Sequence, residues 1–372
     1  MTIPHYATVH LCSVLATSAF GAMFGVLWLG RGRSLHLLLS AAASATYAAA
    51  LIGLGLGLSR VHPLGGFAMF VLLGGSSGLV LAAVNAFEGK PVIDRTVLAL
   101  PLVPALAFTV PAMLPDGTFG TDACTAGRIA NSAALAAIFV VLAAVLLRGR
   151  NSRAPRSRRI LALAHIGYVP GYLLSIAMEI GGALPIDALA LVPMLSDQLL
   201  LGVLNIGLLA MPGERDAAAL RTAALTDPLT GAGNRAALAD LERNGIAAGT
   251  GVILLDVDRF KQINDAQGHA AGDALLVALA RLAAAALPAG ARLFRLGGDE
   301  FIAVLPPGGG AVRDSAERLL WEAQMRHDGP RCSLSIGVAT VESGEPALAA
   351  AIERADVLLY RAKAAGRGRL AA

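Results

Sequence analysis

The stretch RLGGDEF, residues 295–301, sets two glycines and two acids between apolar flanks. It lies inside ARLFRLGGDEFIAVL, residues 291–305, where the apolar residues on either side of Gly297 and Gly298 predict two strands joined by a tight hairpin turn. Because glycine has no Cβ, the backbone at this turn is also able to approach a ligand closely. The stretch alone leaves two interpretations open: an ordinary hairpin, or a hairpin whose acids hold a metal ion against a phosphate.

A second acid pair ends another predicted strand. GVILLDVD is an apolar run that predicts a buried strand ending at Asp256 and Asp258. If this strand neighbours the hairpin, its acids converge with Asp299 and Glu300 at one end of the sheet. Converging carboxylates raise each other's pKa unless a cation neutralises them, and Mg²⁺ binds through one or two carboxylates together with substrate phosphates. The two pairs together therefore predict a metal-dependent phosphate site, in which two ions would activate a hydroxyl and stabilise a leaving oxygen.

Polar side chains with nucleotide-binding chemistry follow at two places. The segment DRFKQINDAQGHAAGD contains Lys261, a candidate cation for a phosphate, and Asn264 and Asp273, whose amide and carboxylate match the guanine edge. Near the C-terminus, Lys363 and Arg367 are four residues apart, which predicts two cations on one helical face, suited to a triphosphate. For each of these residues taken alone, a solvated surface charge is the plainer interpretation.

The pattern around these motifs predicts an α+β domain over residues 227–372. Helices are predicted at 271–287, 311–326 and 346–364, and a further strand at 332–340. Together with the hairpin and the first strand, these elements predict a largely antiparallel sheet with flanking helices. Residues 212–226 predict a short helical linker that starts at a Pro-Gly break. It is either a plain connector or an element that transmits movement to the domain that follows.

The first 211 residues differ in composition from the rest. The chain of 372 residues is 56% hydrophobic and only 15% charged, and its apolar residues are concentrated in this part. Windows of about 20 residues, long enough to cross a bilayer, lie roughly at 8–30, 34–59, 61–87, 96–115, 129–147, 160–178 and 188–211. Residues 1–211 therefore predict an all-α membrane bundle of about seven spans, with a sensory role.

Lysine and arginine in the loops predict the orientation of this bundle. The first, third and fifth loops contain ten basic residues, whereas the second and fourth contain only Arg60 and Arg128. The basic loops should face the cytoplasm, which places the N-terminus outside and, after seven spans, the C-terminal domain inside. These arginines account for the net charge of +4, so no nucleic-acid partner is expected. The three cysteines lack a CxxC spacing, which argues against a zinc site or a disulfide framework.

Ionisable side chains also lie within or at the ends of the predicted spans: His10, His165, Glu179 and Asp197. Such groups mark functional positions in membrane proteins by default, so they are candidates for a pocket that senses a ligand or protons. The alternative is hydrogen bonding between helices or a place near the membrane surface. The stimulus itself, whether a ligand or a partner protein, stays unknown from the sequence.

Five segments of the C-terminal half, in order and at the usual spacing, together resemble the GGDEF domain of diguanylate cyclases over residues 225–370. They are LTDPLTGAGNR (225–235), LLDVDRFKQINDAQGHAAGD (254–273), RLGGDEF (295–301), SLSIGVA (333–339) and ADVLLYRAKAAGRGR (355–369). The resemblance does not extend to the membrane half. It implies a palm-like fold, as in class III nucleotide cyclases, and the condensation of two GTP molecules to cyclic di-GMP with loss of two pyrophosphates.

The resemblance also implies a set of metal-binding and catalytic residues. Asp256, Asp299 and Glu300 would bind the metal ions, Mg²⁺ or Mn²⁺, and the carbonyl of Val257 would be a further ligand. Glu300 is alternatively a base, and Asp299, Glu300 and Lys261 form the predicted catalytic set.

The predicted substrate contacts come from the same resemblance. Asn264 and Asp273 would bind guanine. The other predicted substrate-binding residues are Phe260, Lys261, Lys363, Arg367, Gly297 and Gly298. Because each domain binds one GTP, the active unit would be a homodimer of facing half-sites. The expected location is the bacterial inner membrane, crossed several times, with the GGDEF domain in the cytoplasm.

Two departures from the family pattern stand out. PAGA, residues 288–291, occupies the place where many members carry an Arg-x-x-Asp site for product inhibition, and Ala232 replaces a usual leucine. Retention of all signature acids favours an active enzyme. The alternative is a catalytically silent module that binds GTP or cyclic di-GMP and signals through protein contacts. A dinucleotide containing adenine is a third possibility, against which Asn264 and Asp273 argue.

Overall fold

The computed structural model describes residues 6–30, 32–58, 62–149, 152–181, 186–308, 312–325, 332–344 and 348–372, with the side chains of residues 6 and 186–195 left out. The chain divides into two compact units, Met1–Ala217 and Ala218–Ala372. The first unit is helical and the second combines helices with a sheet.

Long helices make up the N-terminal unit. They are α1 Tyr6–Gly30, α2 Leu35–Gly55, α3 Pro63–Glu88, α4 Arg95–Ala112, α5 Ala123–Leu147, α6 Pro155–Gly181 and α7 Ile186–Leu225. Side chains fix several of their starts: Asp94, for example, accepts a hydrogen bond from the Val97 amide at 2.8 Å, and Asp122 accepts one from the Thr125 amide at 2.9 Å.

Seven of the described helices are long and apolar enough to cross a membrane, namely α1 to α6 and a helix of the C-terminal unit, His269–Ala286. The latter buries Leu275, Leu276 and Leu279 in the core of its own domain, so its apolarity reflects packing against the sheet. The predicted seventh span, 188–211, lies within α7. The N-terminal region therefore has the seven long helices that its hydropathy predicts, consistent with a membrane bundle.

One expectation about the linker was wrong. Pro212 and Gly213 were expected to break the chain after the last span, yet α7 runs without interruption over 40 residues from Ile186 to Leu225. Proline removes only one amide donor from a helix, and apolar helices tolerate it where neighbouring groups adjust. Residues 212–225 are consequently an extension of the last long helix.

The C-terminal unit is built on one five-stranded sheet. Its strands are β1 Gly251–Val257, β2 Arg292–Gly297, β3 Glu300–Leu305, β4 Leu334–Thr340 and β5 Leu370–Ala371. Its helices are α8 Arg235–Arg243, α9 Phe260–Gln267, α10 His269–Ala286, α11 Val312–Met325 and α12 Leu348–Ala364. The strand order is β2-β3-β1-β4-β5, antiparallel except for the β4–β5 pair. The predicted α+β fold with a mainly antiparallel sheet is confirmed.

Alternation along β1 divides the core into two layers. Ile253 and Leu255 pack with α10 and α11 on one face of the sheet, whereas Val252 and Leu254 pack with α12 on the other. Side chains of a strand point alternately to opposite faces. The next even position, Asp256, therefore belongs to the face that α12 covers, at the end of the strand.

Candidate active site

The signature stretch forms the hairpin that its sequence predicts. Strand β2 ends at Gly297 and β3 begins at Glu300. Gly297 and Gly298 have φ angles of 151° and 51°, in the region that side-chain-bearing residues rarely adopt. The glycine pair is therefore required by the backbone of the turn, and Asp299 follows it at the tip.

Arg295 holds this turn in place, a role that the sequence reasoning missed. Its Nε and Nη2 donate to the Gly298 carbonyl at 2.9 and 2.8 Å, and its Nη1 donates to Asp227 Oδ1 at 3.1 Å. Burial by itself raises the pKa of the Asp227 carboxyl, but hydrogen bonds from Thr230 and Arg295 lower it below its usual value. Arg295 and Asp227 both lie in segments that resemble the GGDEF domain, and this resemblance was the signal from which their role could have been predicted.

The two predicted acid pairs meet through the sheet. Strand β1 pairs with β3 in an antiparallel register that sets Asp256 opposite Glu300. The Val257 amide donates to the Asp299 carbonyl at 3.4 Å, while the Val257 side chain is fully buried in the core. Asp256, Asp299 and Glu300 thus lie at the same end of the sheet, and Val257 presents only its backbone there.

A lysine contacts the most buried of these acids. Lys363, in the last turn of α12, places its Nζ at 2.8 Å from Asp256 Oδ2. Burial raises the pKa of the Asp256 carboxyl; the contact with Lys363 opposes this, and the nearby charges of Asp299 and Glu300 raise the pKa further. The acids at this end of the sheet therefore favour binding of a cation, and the Lys363 ammonium already pairs with one of them.

The donor set at this end fits a magnesium ion shared with a substrate. Among the residues that the structure describes, no three His, Cys, Asp or Glu side chains are arranged to hold a metal ion by themselves. Magnesium, however, usually takes one or two protein carboxylates and completes its shell with phosphates and water. The carboxylates of Asp256, Asp299 and Glu300 are of the required kind.

Asp258 differs from Asp256, although the sequence suggested that both would converge with the hairpin acids. Its Oδ1 accepts a hydrogen bond from Ser335 Oγ at 2.6 Å, and its Oδ2 accepts bonds from Ser333 Oγ at 2.6 Å and the Gly368 amide at 2.9 Å. The side chain is buried. Asp258 thus ties β1 to β4 and to the C-terminal turn, so its oxygens are already engaged.

The two residues predicted to bind guanine lie on consecutive helices. Asn264 is on α9 and Asp273 on the following helix α10. A Cβ added at Gly272 would come within 1.9 Å of Asn264 Oδ1, so the absence of a side chain there lets Asn264 pack against α10 next to Asp273. Gly272 was not singled out from the sequence, and it is what permits this approach.

Phe260 and Lys261 occupy the first turn of α9, and their side chains lie in different environments. The Phe260 ring packs against the core cluster beneath the sheet, whereas Lys261 is exposed. Arg259, which precedes the helix, has a left-handed φ of 57°, unusual for a residue with a side chain. Arg259 and Lys261 are both exposed, so both cations are accessible to a ligand, and Lys261 is the one that the sequence predicted.

The four-residue spacing of Lys363 and Arg367 predicted that they share one helical face. This prediction was wrong. Helix α12 ends at Ala364, and the chain turns through positive φ angles at Gly366, Arg367 and Gly368. Glycines after a helix favour such left-handed turns. Arg367 is exposed in this turn, three residues beyond the end of the helix.

The four ionisable residues predicted as sensor candidates have different environments. Glu179 accepts hydrogen bonds from Arg128 at 2.6 and 3.1 Å, so it is part of an ion pair between α5 and α6. His10 packs against Gly55 of α2. His165 and Asp197, in contrast, line one cavity of the N-terminal unit.

Comparison with known proteins shows to which family the C-terminal unit is similar. The sequence profile of the family "Diguanylate cyclase, GGDEF domain" matches residues 224–369. Diguanylate cyclase DgcP of Pseudomonas aeruginosa is 41% identical over 162 residues, 40% of this chain and 24% of the relative. Diguanylate cyclase DgcM of Escherichia coli is 38% identical over 162 residues, 41% of this chain and 39% of the relative.

The solved GGDEF domain of PA1120 (YfiN or TpbB) from Pseudomonas aeruginosa is 35% identical, and the match covers 38% of this chain and 98% of that structure with a TM-score of 0.34. The chain matches only about a quarter to two fifths of the length of the two curated relatives. The residues that the family profile matches lie in the C-terminal part. Through that part, the chain belongs to the GGDEF domain family.

Proposed function

We propose that the protein is a membrane-bound diguanylate cyclase that condenses two GTP molecules into cyclic di-GMP and two pyrophosphates. The observation that carries the proposal is the register of β1 against β3, which sets Asp256 opposite Glu300 and beside Asp299. The full set of signature acids is thereby gathered where a phosphate and its counter-ions would be bound. A GGDEF domain that only binds nucleotides would not need all three.

The side chains around this end of the sheet divide the work on the substrate. Asn264 and Asp273 would bind the guanine edge, since an amide and a carboxylate together supply the donor and acceptors that guanine requires. Lys261 and Lys363 would neutralise phosphate oxygens. For Lys363 this means exchanging its contact with Asp256 for one with the substrate, which leaves the Asp256 carboxylate available to a metal ion.

Asp256, Asp299, Glu300 and the Val257 carbonyl would hold Mg²⁺ or Mn²⁺. When bound, the ions supply charge neutralisation on the phosphates and a lowered pKa of the attacking hydroxyl. The hairpin fixes the position of Asp299 through Arg295, so little reorganisation is needed as charge develops.

The reaction requires two domains. In each half-reaction, the 3′-oxygen of one GTP forms a bond to the α-phosphorus of the other while the bond to pyrophosphate breaks, and the hydroxyl proton leaves to a base. Two such steps close the ring and release two pyrophosphates. Because one domain holds one GTP, we propose a homodimer in which two domains face each other. Most of the rate enhancement would come from positioning and charge neutralisation.

A direct assay tests this proposal. The purified full-length chain in detergent is incubated with GTP and MgCl₂, and the products are identified by mass spectrometry, with ATP and a no-metal sample as controls. Cyclic di-GMP and pyrophosphate should form from GTP only, and EDTA should stop their formation. Binding of GTP without any turnover would overturn the enzymatic proposal in favour of the silent module.

Feedback inhibition should be weak, because the usual inhibitory motif is missing. Pro288, Ala289, Gly290 and Ala291 offer neither an arginine guanidinium nor an aspartate carboxylate for a bound product. We expect that cyclic di-GMP at about 10 µM, where a ligand of micromolar affinity would saturate its site, lowers the initial rate by less than about a third. Strong non-competitive inhibition in the submicromolar range would contradict this prediction.

The ion pairs of the N-terminal unit support the proposed orientation. At one end of the bundle, Arg158 contacts Glu88 at 2.5 Å and donates to the Leu146 carbonyl at 2.9 Å, and Glu214 accepts from the Arg156 amide at 2.8 Å. The third and fifth loops and the end of the last long helix therefore lie at the same end, the one with most basic residues. We propose that this end faces the cytoplasm.

A reporter fusion tests the orientation. Green fluorescent protein fused after residue 215 should fluoresce, and alkaline phosphatase fused there should be inactive, because each works on only one side of the membrane. The opposite pattern is expected for fusions after Gly117, which lies between α4 and α5. Active alkaline phosphatase at residue 215 would overturn the topology and, with it, access of the C-terminal unit to GTP.

A further inference from the structure

The N-terminal unit contains a cavity that the cyclase reaction does not use. Its volume is about 70 Å³, and it is lined by residues of α1, α2, α3, α5, α6 and α7. Three tyrosines, four serines of α2 and α3, His165, Asn205 and Asp197 are among the residues that line it. A polar cavity inside an apolar bundle is costly to maintain, which is why such groups mark functional positions.

Asp197 is the acidic side chain of this cavity. It is 4% exposed, its Oδ1 accepts a hydrogen bond from the Tyr168 hydroxyl at 3.1 Å, and the side chains of Tyr47 and Ser13 also hydrogen-bond to its carboxyl group. Its Oδ2 has no hydrogen-bond partner among the described residues, and neither has Thr17 Oγ1, also in the lining. No lysine or arginine is among the described residues around the cavity. Its ionised form, buried without a counter-ion, is strongly unfavourable, so a positively charged ligand would stabilise the carboxylate.

Several other polar groups of the lining present acceptors, because they donate hydrogen bonds within their own helices. Ser40 and Ser76 donate to the carbonyls of His36 and Leu73 at 2.9 and 2.7 Å. Asn205 Nδ2 donates to a carbonyl of α7 at 2.9 Å, which leaves its Oδ1 as an acceptor.

His165 follows the same rule. Its Nδ1 lies 2.6 Å from the Leu161 carbonyl, and since a carbonyl only accepts, this nitrogen carries the hydrogen. The other ring nitrogen of the neutral imidazole is then an acceptor as well. A ligand in this cavity must therefore bring several donors.

Aromatic rings form one wall of the cavity. Phe139 stacks on Tyr168 with ring centroids 5.1 Å apart, and Tyr172 lies 5.7 Å from the same ring. The faces of such rings attract cations, most strongly where water is excluded. A carboxylate, an acceptor-rich lining and aromatic faces together are the recognition chemistry of an ammonium group.

We infer that this cavity binds a small organic ammonium ion, with Asp197 as its counter-ion. Size limits the ligand: a cavity of about 150 Å³ accommodates benzene, so half that volume suits about three non-hydrogen atoms, as in ethylammonium. The maximum affinity per atom limits such a ligand to a Kd of roughly 1 mM. The inference concerns the N-terminal unit alone and does not depend on the proposed cyclase activity.

Calorimetric titration of the full chain in dodecyl maltoside and amine-free sodium phosphate buffer tests it. Ethylammonium chloride should bind saturably with a Kd near 1 mM, whereas ethanol, a neutral molecule of the same size, and sodium chloride should not. The absence of saturable binding up to about 20 mM, well above the expected Kd, would show that the cavity holds only water and would overturn the inference. Equal binding of ethanol would overturn the charge recognition.

Variants locate the binding. Asp197→Asn should weaken ethylammonium binding at least about tenfold, because the counter-ion is lost. Glu179→Gln, the matched change at an acid outside the cavity, should leave it unchanged. Tyr172→Leu should weaken binding about threefold or more, and Tyr172→Phe, which keeps the ring, should not. Each variant is first checked by gel filtration. If Asp197→Asn is misfolded, the test rests on the comparison of Tyr172→Leu with Tyr172→Phe. Equal affinities of these two variants for ethylammonium would overturn the inference.

Discussion

Replacing Asp299 by alanine should abolish the conversion of GTP to cyclic di-GMP while leaving the C-terminal unit folded. The side chain lies at the tip of the hairpin, and the turn itself depends on Gly297, Gly298 and the bonds from Arg295 to the Gly298 carbonyl. Removing one group that neutralises charge in a phosphoryl-type transition state typically costs at least about a hundredfold in rate. Because the Asp299 carbonyl, which meets the Val257 amide, is retained, the strand register should persist.

Turnover is measured by mass spectrometry on the purified full chain, beside two further variants. Asp299→Asn keeps the shape of the side chain and removes its charge, so it should be nearly as inactive. Asp314→Ala makes the same change at an exposed acid in the first turn of α11, away from the sheet end, and should retain near-normal turnover. An Asp299→Ala protein with more than about a tenth of the wild-type rate would contradict the assignment of this residue to the metal site.

Much of the fold was accessible from the sequence because local signals agreed. The glycine pair fixed the hairpin, since its φ angles of 151° and 51° exclude most other residues. The apolar run before Asp256 predicted a buried strand, and β1 is buried along its whole length. The hairpin turn and the buried strand each depend on a few consecutive residues, so both are visible in the sequence.

Long-range partners were harder to predict. Asp256 and Asp258 both end the same predicted strand, so the sequence gives no reason to treat them differently. In the structure, Asp256 contacts Lys363, whereas the carboxylate of Asp258 accepts hydrogen bonds from two serines and a backbone amide. The difference arises where β4 and the C-terminal turn meet the end of β1, and these lie about a hundred residues further along the chain. A sequence shows that acids are present, but their remaining hydrogen-bonding capacity depends on such partners.

The ends of the helices were misjudged for a related reason. Arg367 was expected on the face of α12 because four-residue spacing suits a helix, but Gly366 and Gly368 permit the left-handed turn that ends it. Pro212 and Gly213 were expected to end the last span, but that helix continues to Leu225. Proline and glycine weaken a helix without always ending it, and neighbouring packing decides the outcome.

The four intramembrane candidates show the same limit. Composition marks His10, His165, Glu179 and Asp197 equally, because each is a polar group in an apolar window. Glu179 is neutralised by Arg128, whereas Asp197 keeps an oxygen without a hydrogen-bond partner among the described residues. Only the helix packing, which no local pattern encodes, distinguishes a structural ion pair from a binding position.

Replacing Gly337 by alanine should destabilise the C-terminal unit strongly. Gly337 lies on β4, beneath α12, and an added Cβ would come within 2.0 Å of the Ala355 carbonyl oxygen and 2.5 Å of the Leu359 amide nitrogen. Both are backbone atoms of α12, so no side-chain rotation relieves the contact and the helix itself must move. Inserting atoms into a packed core costs about 1–3 kcal/mol, and more where backbone must shift, so we expect at least about 3 kcal/mol here.

Stability is followed by brief protease digestion of the full chain across a urea series, with the C-terminal unit detected through a C-terminal tag. The matched control is Gly213→Ala, since a Cβ at this helical position meets nothing within 4 Å, and alanine should be neutral or mildly stabilising there. A Gly337→Ala protein with the wild-type urea midpoint would contradict the packing described for α12. Any displacement of α12 also moves Lys363 relative to Asp256, now 2.8 Å apart. Any folded Gly337→Ala fraction should therefore have reduced turnover, which would link the packing of this helix to the geometry of the proposed active site.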